Sequence, residues 1–318
     1  PAPEVVSRLD GDIRTLRFVV ENSSALVAEP SSVAAREYIP SVRVGVRATW
    51  SAMVDSLRDV LIDRDLEDPE HVALVQRLLE GTSLQDLRAR TEVLYAWVLE
   101  NVEDNTDVFS QAALLLRAKA GHRARVLRYL LGLAVIPSEL ALVRTFVADA
   151  TPSDMADAET YDQLLLRVHL PEGHVWLYTA ERYAPFGFIP PVLQEQPALL
   201  LAAGTPRTQV SRGLVPADFR RFDVELELAK NGDAKIAVRE TVQGSDAIAW
   251  RQQLEQIPRV ELERRFEQDY VTRLFPGARL KSVDIQGRDT AEPQLVLDYV
   301  VEVAGYARRV STGLALPP

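Results

Sequence analysis

The sequence predicts a multidomain α+β protein. Three observations carry that expectation: strand-like alternation near both ends, a run of amphipathic helical segments between residues 51 and 131, and an Asn231-Gly232 turn between two alternating segments. At 318 residues the chain is long for one core, and its length favours two domains or three small ones. With 47% hydrophobic and 26% charged residues, it has the composition of an ordinary globular protein.

Near the N-terminus, Ile13–Val20 and Val42–Trp50 alternate apolar with polar residues and read as strands. The chain begins Pro1-Ala2-Pro3, and the earlier strands of this unit are expected upstream in a longer protein. From Ser51 the period becomes helical, with Met53, Val54, Leu57, Val60 and Leu61 on one stripe. A second helix is expected over His71–Leu79, stopped at Gly81.

Ser83-Leu-Gln-Asp86 reads as a cap with an acid at the third helical position, opening a helix on Leu87, Thr91, Leu94, Tyr95 and Val98. A short helix over Val108–Ala118 follows, then the Gly121 turn and a helix through Leu131, with Trp97 and Tyr129 expected in the core. Glu139–Val147, Tyr161–Leu170 and His174–Thr179 read as strands, the last two joined by Pro171-Glu-Gly173. Pairing about that turn places Gln163 diagonally opposite Tyr178. A Pro-rich run at 185–191 and the apolar segment Ala198–Ala203 come next.

Gly204–Gly213 reads as a linker to a β-rich domain. There Phe222–Leu228 and Ala234–Val242 form a hairpin about Asn231-Gly232. Asp246–Leu254 and Pro258–Leu274 are helical, and Val283–Ile285, Leu295–Val303 and Tyr306–Leu314 read as strands. The expected division is 1–81, 82–204 and 205–318.

A net charge of −10 and a pI near 5.1 argue against nucleic acid or an anionic membrane surface as the main partner, since both require a basic face. No apolar run approaches the roughly 20 residues of a membrane span, and the first residues carry no signal-peptide pattern. The absence of cysteine excludes disulfides, thiolate zinc sites and thiol catalysis. No cofactor is expected. His169 and His174 flank a turn, but two histidines without a nearby carboxylate make a poor metal site. Ser110, Ser138 and Ser153 lack a Gly-x-Ser-x-Gly setting, so a serine hydrolase is not expected.

Lys119-Ala-Gly-His-Arg123 opens a helix after a polar turn. Tyr95-Ala-Trp-Val98 with Glu100-Asn101 precedes it. Val135-Ile-Pro137, Tyr161-Asp-Gln163, Trp176-Leu-Tyr-Thr179 and Pro185-Phe-Gly-Phe-Ile-Pro190 follow in that order. Together these pieces make residues 83–200 resemble the transglutaminase-like superfamily, as found in bacterial multidomain proteins with β-domains on both sides of the core. The resemblance implies a papain-like transglutaminase core between a partial N-terminal β/helical unit and a C-terminal β-rich domain. It also implies a periplasmic or cell-surface setting.

In that family a cysteine at the helix N-terminus attacks an acyl group, aided by a histidine and an aspartate. By position Arg123 stands in place of the cysteine, Gln163 of the histidine and Tyr178 of the aspartate. A guanidinium stays protonated and an amide takes no proton near neutral pH, so the nucleophile and base roles are vacant. The expectation is therefore a non-enzyme acting by binding or scaffolding, with a protein or peptide partner and a glycan as an alternative. The other reading is a hydrolase or acyltransferase using groups outside the triad.

His122, Arg123, Arg125 and Arg128 at the helix start suggest an anion site, set against a solvated basic face with Asp162 as a candidate counterion. Tyr178, Tyr183, Phe186 and Phe188 gather beside the former active-site position. They either line a peptide or glycan groove or fill it.

Overall fold

The structure, a computed structural model, describes residues 4–21, 39, 42, 49–63, 68–147, 156, 161–202, 204, 207–215, 218–310 and 313–316. The protein is α+β with a β-rich C-terminal region. It divides into two units: Pro1–Leu94, Val102–Leu177 and Pro191–Arg212 make the first, and Tyr95–Asn101, Tyr178–Pro190 and Gly213–Pro318 the second.

In the first unit β1 (Glu4–Asp10) and β2 (Ile13–Val19) form an antiparallel hairpin, closed by Asp10↔Ile13. The predicted Val42–Trp50 strand falls largely on residues outside those described. Its last residue, Trp50, instead opens helix α1 (Trp50–Leu61), capped by Thr49 Oγ1 accepting from the Ala52 amide at 3.2 Å. Val54 and Leu61 of the expected stripe are buried, whereas Val60 faces solvent.

Helix α2 (Pro69–Leu78) is capped by Asp68 and starts two residues before the expected His71. Helix α3 (Leu87–Asn101) is capped by Asp86, whose carboxylate accepts from the Ala89 amide at 2.9 Å. Ser83 lies in the turn before it and accepts from the Gln85 amide, so the cap sits three residues later than the sequence suggested. Trp97 and Tyr129 are half-buried rather than core, and the Tyr129 hydroxyl meets His71 Nδ1 at 3.1 Å.

The short strand β3 (Glu103–Asp104) runs parallel to β4 (Ala120–Gly121), with helix α4 (Ala112–Ala118) between them in sequence. Helix α5 (Arg123–Leu133) follows. Ala124, Val126, Leu127, Leu130 and Leu131 are all fully buried, so apolar residues cover more than one side of this helix. It packs against α2, α4 and the strands β5 (Ser138–Val143) and β6 (Gln163–Leu170).

Those strands belong to a five-stranded antiparallel sheet in the order β7-β6-β5-β8-β9, with β7 (Gly173–Leu177), β8 (Pro197–Leu200) and β9 (Arg207–Gln209). Leu140, Leu166 and Leu177 line one face and Ala141 and Leu165 the other, all fully buried, so the sheet is apolar on both sides. The expected linker is thus partly a strand: Ala198↔Thr208 and Leu199↔Arg207 add β9 to the edge. A strand this short is held by backbone bonds and leaves little alternation to read.

In the second unit β10 (Phe219–Leu228), β11 (Ala234–Gln243), β12 (Ala278–Gln286) and β13 (Gln294–Val303) form an antiparallel sheet in the order β10-β11-β13-β12. Helix α6 (Ser245–Glu255) and the helical stretch Leu262–Leu274 supply Leu254, Phe266 and Val271 to its core, against Ile236, Val238, Leu297, Tyr299 and Val301. Residues Glu267–Val271 of that stretch form a π-helix. The expected Tyr306–Leu314 strand is a hairpin of two short strands, Arg308–Val310 and Gly313–Ala315.

Among the described residues no helix is long and apolar enough to cross a membrane.

Candidate functional site

The local geometry around the start of α5 follows from a tight turn. Lys119 adopts φ 52° and Gly121 φ 143°, which turn the chain from α4 into β4. The Glu103 amide donates to Lys119 O at 2.9 Å, and the β3–β4 ladder aligns Asp104 with Gly121. Asp104 Oδ1 then accepts from the Arg123 backbone amide at 3.0 Å. His122 is the N-cap, its Nδ1 accepting from the Ala124 amide at 3.3 Å. The free amides and positive dipole end of the helix are therefore served from within the protein by a carboxylate and an imidazole.

The arginines are placed the same way. Arg123 is buried and its Nε donates to Val102 O at 2.7 Å. Arg125, only 2% exposed, donates to Val108 O, to Ser110 O at 2.7 Å and to Asp63 Oδ2 at 2.9 Å. Arg128 is half-buried, and burial lowers its pKa from the ordinary arginine value. The solvated-face expectation therefore fails for Arg123 and Arg125. Asp162, the proposed counterion, instead holds Thr145 through its amide at 3.0 Å and its hydroxyl at 2.9 Å. The carboxylates that serve this helix start are Asp63 and Asp104. Sequence reasoning missed Asp63 because it lies 62 positions from Arg125. The available signal was the apolar wrapping of α5, which forces any interspersed arginine to find an acceptor in the interior.

Burial pushes the His122 imidazole below its ordinary pKa; Asp104 opposes the shift and Arg125 adds to it. Only the neutral ring has a free Nδ1 lone pair to cap Ala124. As pH falls through the ordinary histidine value of about 6.5, the unfolded chain takes the proton first, and stability drops until the folded ring is protonated too. Urea midpoints measured across that range are expected to fall with pH, and His122→Asn, which keeps a capping acceptor, is expected to flatten the fall. An unchanged slope in the variant would assign the dependence to other groups.

Gln163 opens β6 opposite Val143 and belongs to the first unit with Arg123. Tyr178 belongs to the second unit. The β6–β7 ladder ends at Leu166↔Leu177, so the expected diagonal pairing of Gln163 with Tyr178 lies beyond the last paired residues.

Within the second unit the aromatics pack around Tyr95. The Tyr95 hydroxyl is directed at the carbonyls of Tyr178 at 2.8 Å and Ala184 at 3.1 Å, and its ring meets Phe186 edge-on at 5.7 Å between centroids. Tyr178 and Phe188 make a second edge contact at 6.4 Å. Tyr183, Phe188 and Ile189 are buried. Burial raises the Tyr183 hydroxyl pKa, and Glu255 raises it further.

His169 and His174 do come together as a cross-strand pair with ring centroids 4.4 Å apart. A carboxylate is close by, contrary to expectation: the β5–β6 register brings Glu139 to 2.8 Å from His169 Nε2, and Glu139 also accepts from Arg167 Nε at 2.9 Å. Among the described residues no group of three or more His, Cys, Asp or Glu could hold a metal ion. Of the serines, Ser110 offers its carbonyl to Arg125, Ser138 begins β5, and Ser153 lies outside the described residues.

No protein-family model matches this chain, and no curated protein matches it. Among solved structures, it is similar to a crystal structure from Parabacteroides distasonis described as a "putative protease", with TM-score 0.48 and 11% identity. The match covers 95% of this chain and 62% of that one, so the chain spans less than two thirds of that protein's length.

Proposed function

We propose that this chain is a catalytically inactive transglutaminase-like module that acts by binding or scaffolding within a larger bacterial protein. The observation that carries this reading is Arg123. It occupies the nucleophile position of the motif at the start of α5, and its guanidinium is buried with Nε bonded to the Val102 carbonyl. A group that is permanently protonated and already donating inward cannot attack a carbonyl. At the two other motif positions, the Gln163 amide has no basicity to take a proton, and the Tyr178 phenol carries no charge near neutral pH to orient an imidazole. A periplasmic or cell-surface setting goes with this reading and rests on the motif resemblance.

The test is turnover. Purified chain incubated with glutamine-containing peptides plus an amine, with simple esters and with unfolded protein is expected to release no product above the buffer rate. Arg123→Cys is expected to stay inactive as well, because the base position of the motif is held by Gln163, which takes no proton, and the Nδ1 of neighbouring His122 is engaged in capping Ala124. Turnover of an amide or ester by the unsubstituted chain would overturn the proposal in favour of an enzyme with other catalytic groups.

A further inference from the structure

The C-terminal sheet has one edge whose side chains do not suit solvent. All ten residues of β10, Phe219–Leu228, are exposed, and among the described residues the strand is hydrogen-bonded along one side only, to β11. Four of its five apolar residues share one face, and Phe219 stands on the other. Phe222, Val224, Leu226 and Leu228 stand beside Glu240, Val238, Ile236 and Ala234 of β11, which are all buried. Those four residues thus continue the core face, yet they remain 43%, 54%, 39% and 39% exposed. Two of the devices that usually protect an edge are missing, since β10 contains no proline and its ladder runs through ten consecutive pairs without a bulge; its protection rests on charge, with Arg220 turned toward the buried Glu240 and an alternating charged row on the other face.

The opposite face of the strand states what would fit. Arg221, Asp223, Glu225 and Glu227 alternate there, three carboxylates against one guanidinium. Arg221 is bonded to Asp223 at 2.8 Å, and β11 sets Arg239 opposite Asp223 and Lys235 opposite Glu227 at 3.9 Å, so Glu225, with Ala237 opposite it, is the carboxylate that β11 leaves for a cation on the outer side. A second copy of this chain pairing through the same strand would set two acidic rows side by side, which cross-strand repulsion disfavours. A segment carrying Lys or Arg at every second position would instead neutralise that row.

We propose that β10 is a docking edge for an extended partner segment alternating apolar with Lys or Arg residues, which adds a fifth strand to the C-terminal sheet. Backbone bonds to the free edge give the partner its conformation. Its apolar side chains continue the core past Phe222, Val224 and Leu226, and its cations face Asp223, Glu225 and Glu227. The edge belongs to the C-terminal sheet and would bind whether or not the chain turns over a substrate.

The experiment titrates the full chain with a short synthetic peptide alternating valine and lysine, read by calorimetry or fluorescence anisotropy. Two control peptides accompany it: one alternating valine and glutamate, and the Val-Lys peptide N-methylated at every second residue. The expected result is saturable binding of the Val-Lys peptide alone, weakening as salt is raised and weakened about tenfold or more by Glu225→Lys. Glu225 is exposed, so circular dichroism and the unfolding midpoint of that variant should match the parent. Val224→Lys, which puts a charge into the apolar row, is a second variant expected to abolish binding. Equal binding of the N-methylated peptide would mean simple charge attraction and overturn strand addition. No saturable binding, or a dimer in sedimentation that Val224→Lys dissociates, would overturn the proposed occupant.

Discussion

Asp63→Ala is expected to lower the unfolding free energy by about 3–5 kcal/mol, the usual cost of stranding a buried charge by removing its partner. The Arg125 side chain is 1% exposed and that of Asp63 20%, at 2.9 Å, so the guanidinium has little water to fall back on. The same carboxylate accepts from the Ala112 amide at 3.2 Å and so caps the start of α4. One substitution therefore removes a counterion and a helix cap together, while partial access of water to Asp63 holds the loss within that range. Arg125 also carries the Val108 and Ser110 carbonyls, so the loop leading into α4 should loosen as well. The measurement is chemical unfolding of Asp63→Ala, Arg125→Met and the double variant. The two sites share one network, so the double loss should fall well short of the sum. Strict additivity, or a loss below about 1 kcal/mol for Asp63→Ala, would mean that the pair is not coupled in solution.

What the sequence disclosed and what it hid divide along the distance over which each feature is determined. The Asn231-Gly232 hairpin is set by four or five neighbouring residues, and the observed ladder closes with Leu228↔Ala234. Gly232 has φ 93°, and a Cβ there would come within 2.3 Å of the Ala307 carbonyl, so glycine is required at that position for two reasons. The helices α1, α3 and α5 were legible from their apolar faces and α2 from its stop at Gly81, but the starts of α2 and α3 were not. Ser83 and Asp86 are both good caps, and only the fold decides that Asp86 is used. The expected helix from Val108 begins at Ala112 instead, because Asp107 takes the Phe109 and Ser110 amides at 3.1 and 3.0 Å while Arg125 takes carbonyls from the same loop.

At the candidate site, the turn and helix start were legible as a motif, and the burial of the arginines was not. Charge clusters at helix starts usually lie at the surface. Here the outcome was set by Asp63, Val102 and Asp104, none of which belongs to the helix. The Glu139–His169 contact was hidden for a similar reason, since it depends on the β5–β6 register across 30 residues. Register follows from pairing and turn geometry, and a single strand's pattern does not reveal it.

Gly121→Ala is expected to cost roughly 2–6 kcal/mol, combining about 1–3 for a non-glycine residue held at this φ with about 1–3 for overpacking. At φ 143° a Cβ would lie 2.5 and 2.8 Å from the two Cδ atoms of Leu115 and 2.9 Å from its Cβ. The Cδ atoms could rotate away, but the Cβ moves only if α4 moves, and Leu115 is buried. Relief by shifting α4 would disturb the β3–β4 pairing that places Asp104 under the first amide of α5, so the loss should extend to the helix start. Gly132 supplies the control on the same helix: it is exposed, helical and has nothing within 4 Å of a Cβ. Gly132→Ala is expected to stabilise by about 0.5–1 kcal/mol, from helix propensity alone. Two identical substitutions eleven residues apart should therefore shift the unfolding midpoint in opposite directions. If both shifted it upward, Gly121 would not be confined to the left-handed region, and the tight turn from α4 into α5 would not be what holds Arg123 in place.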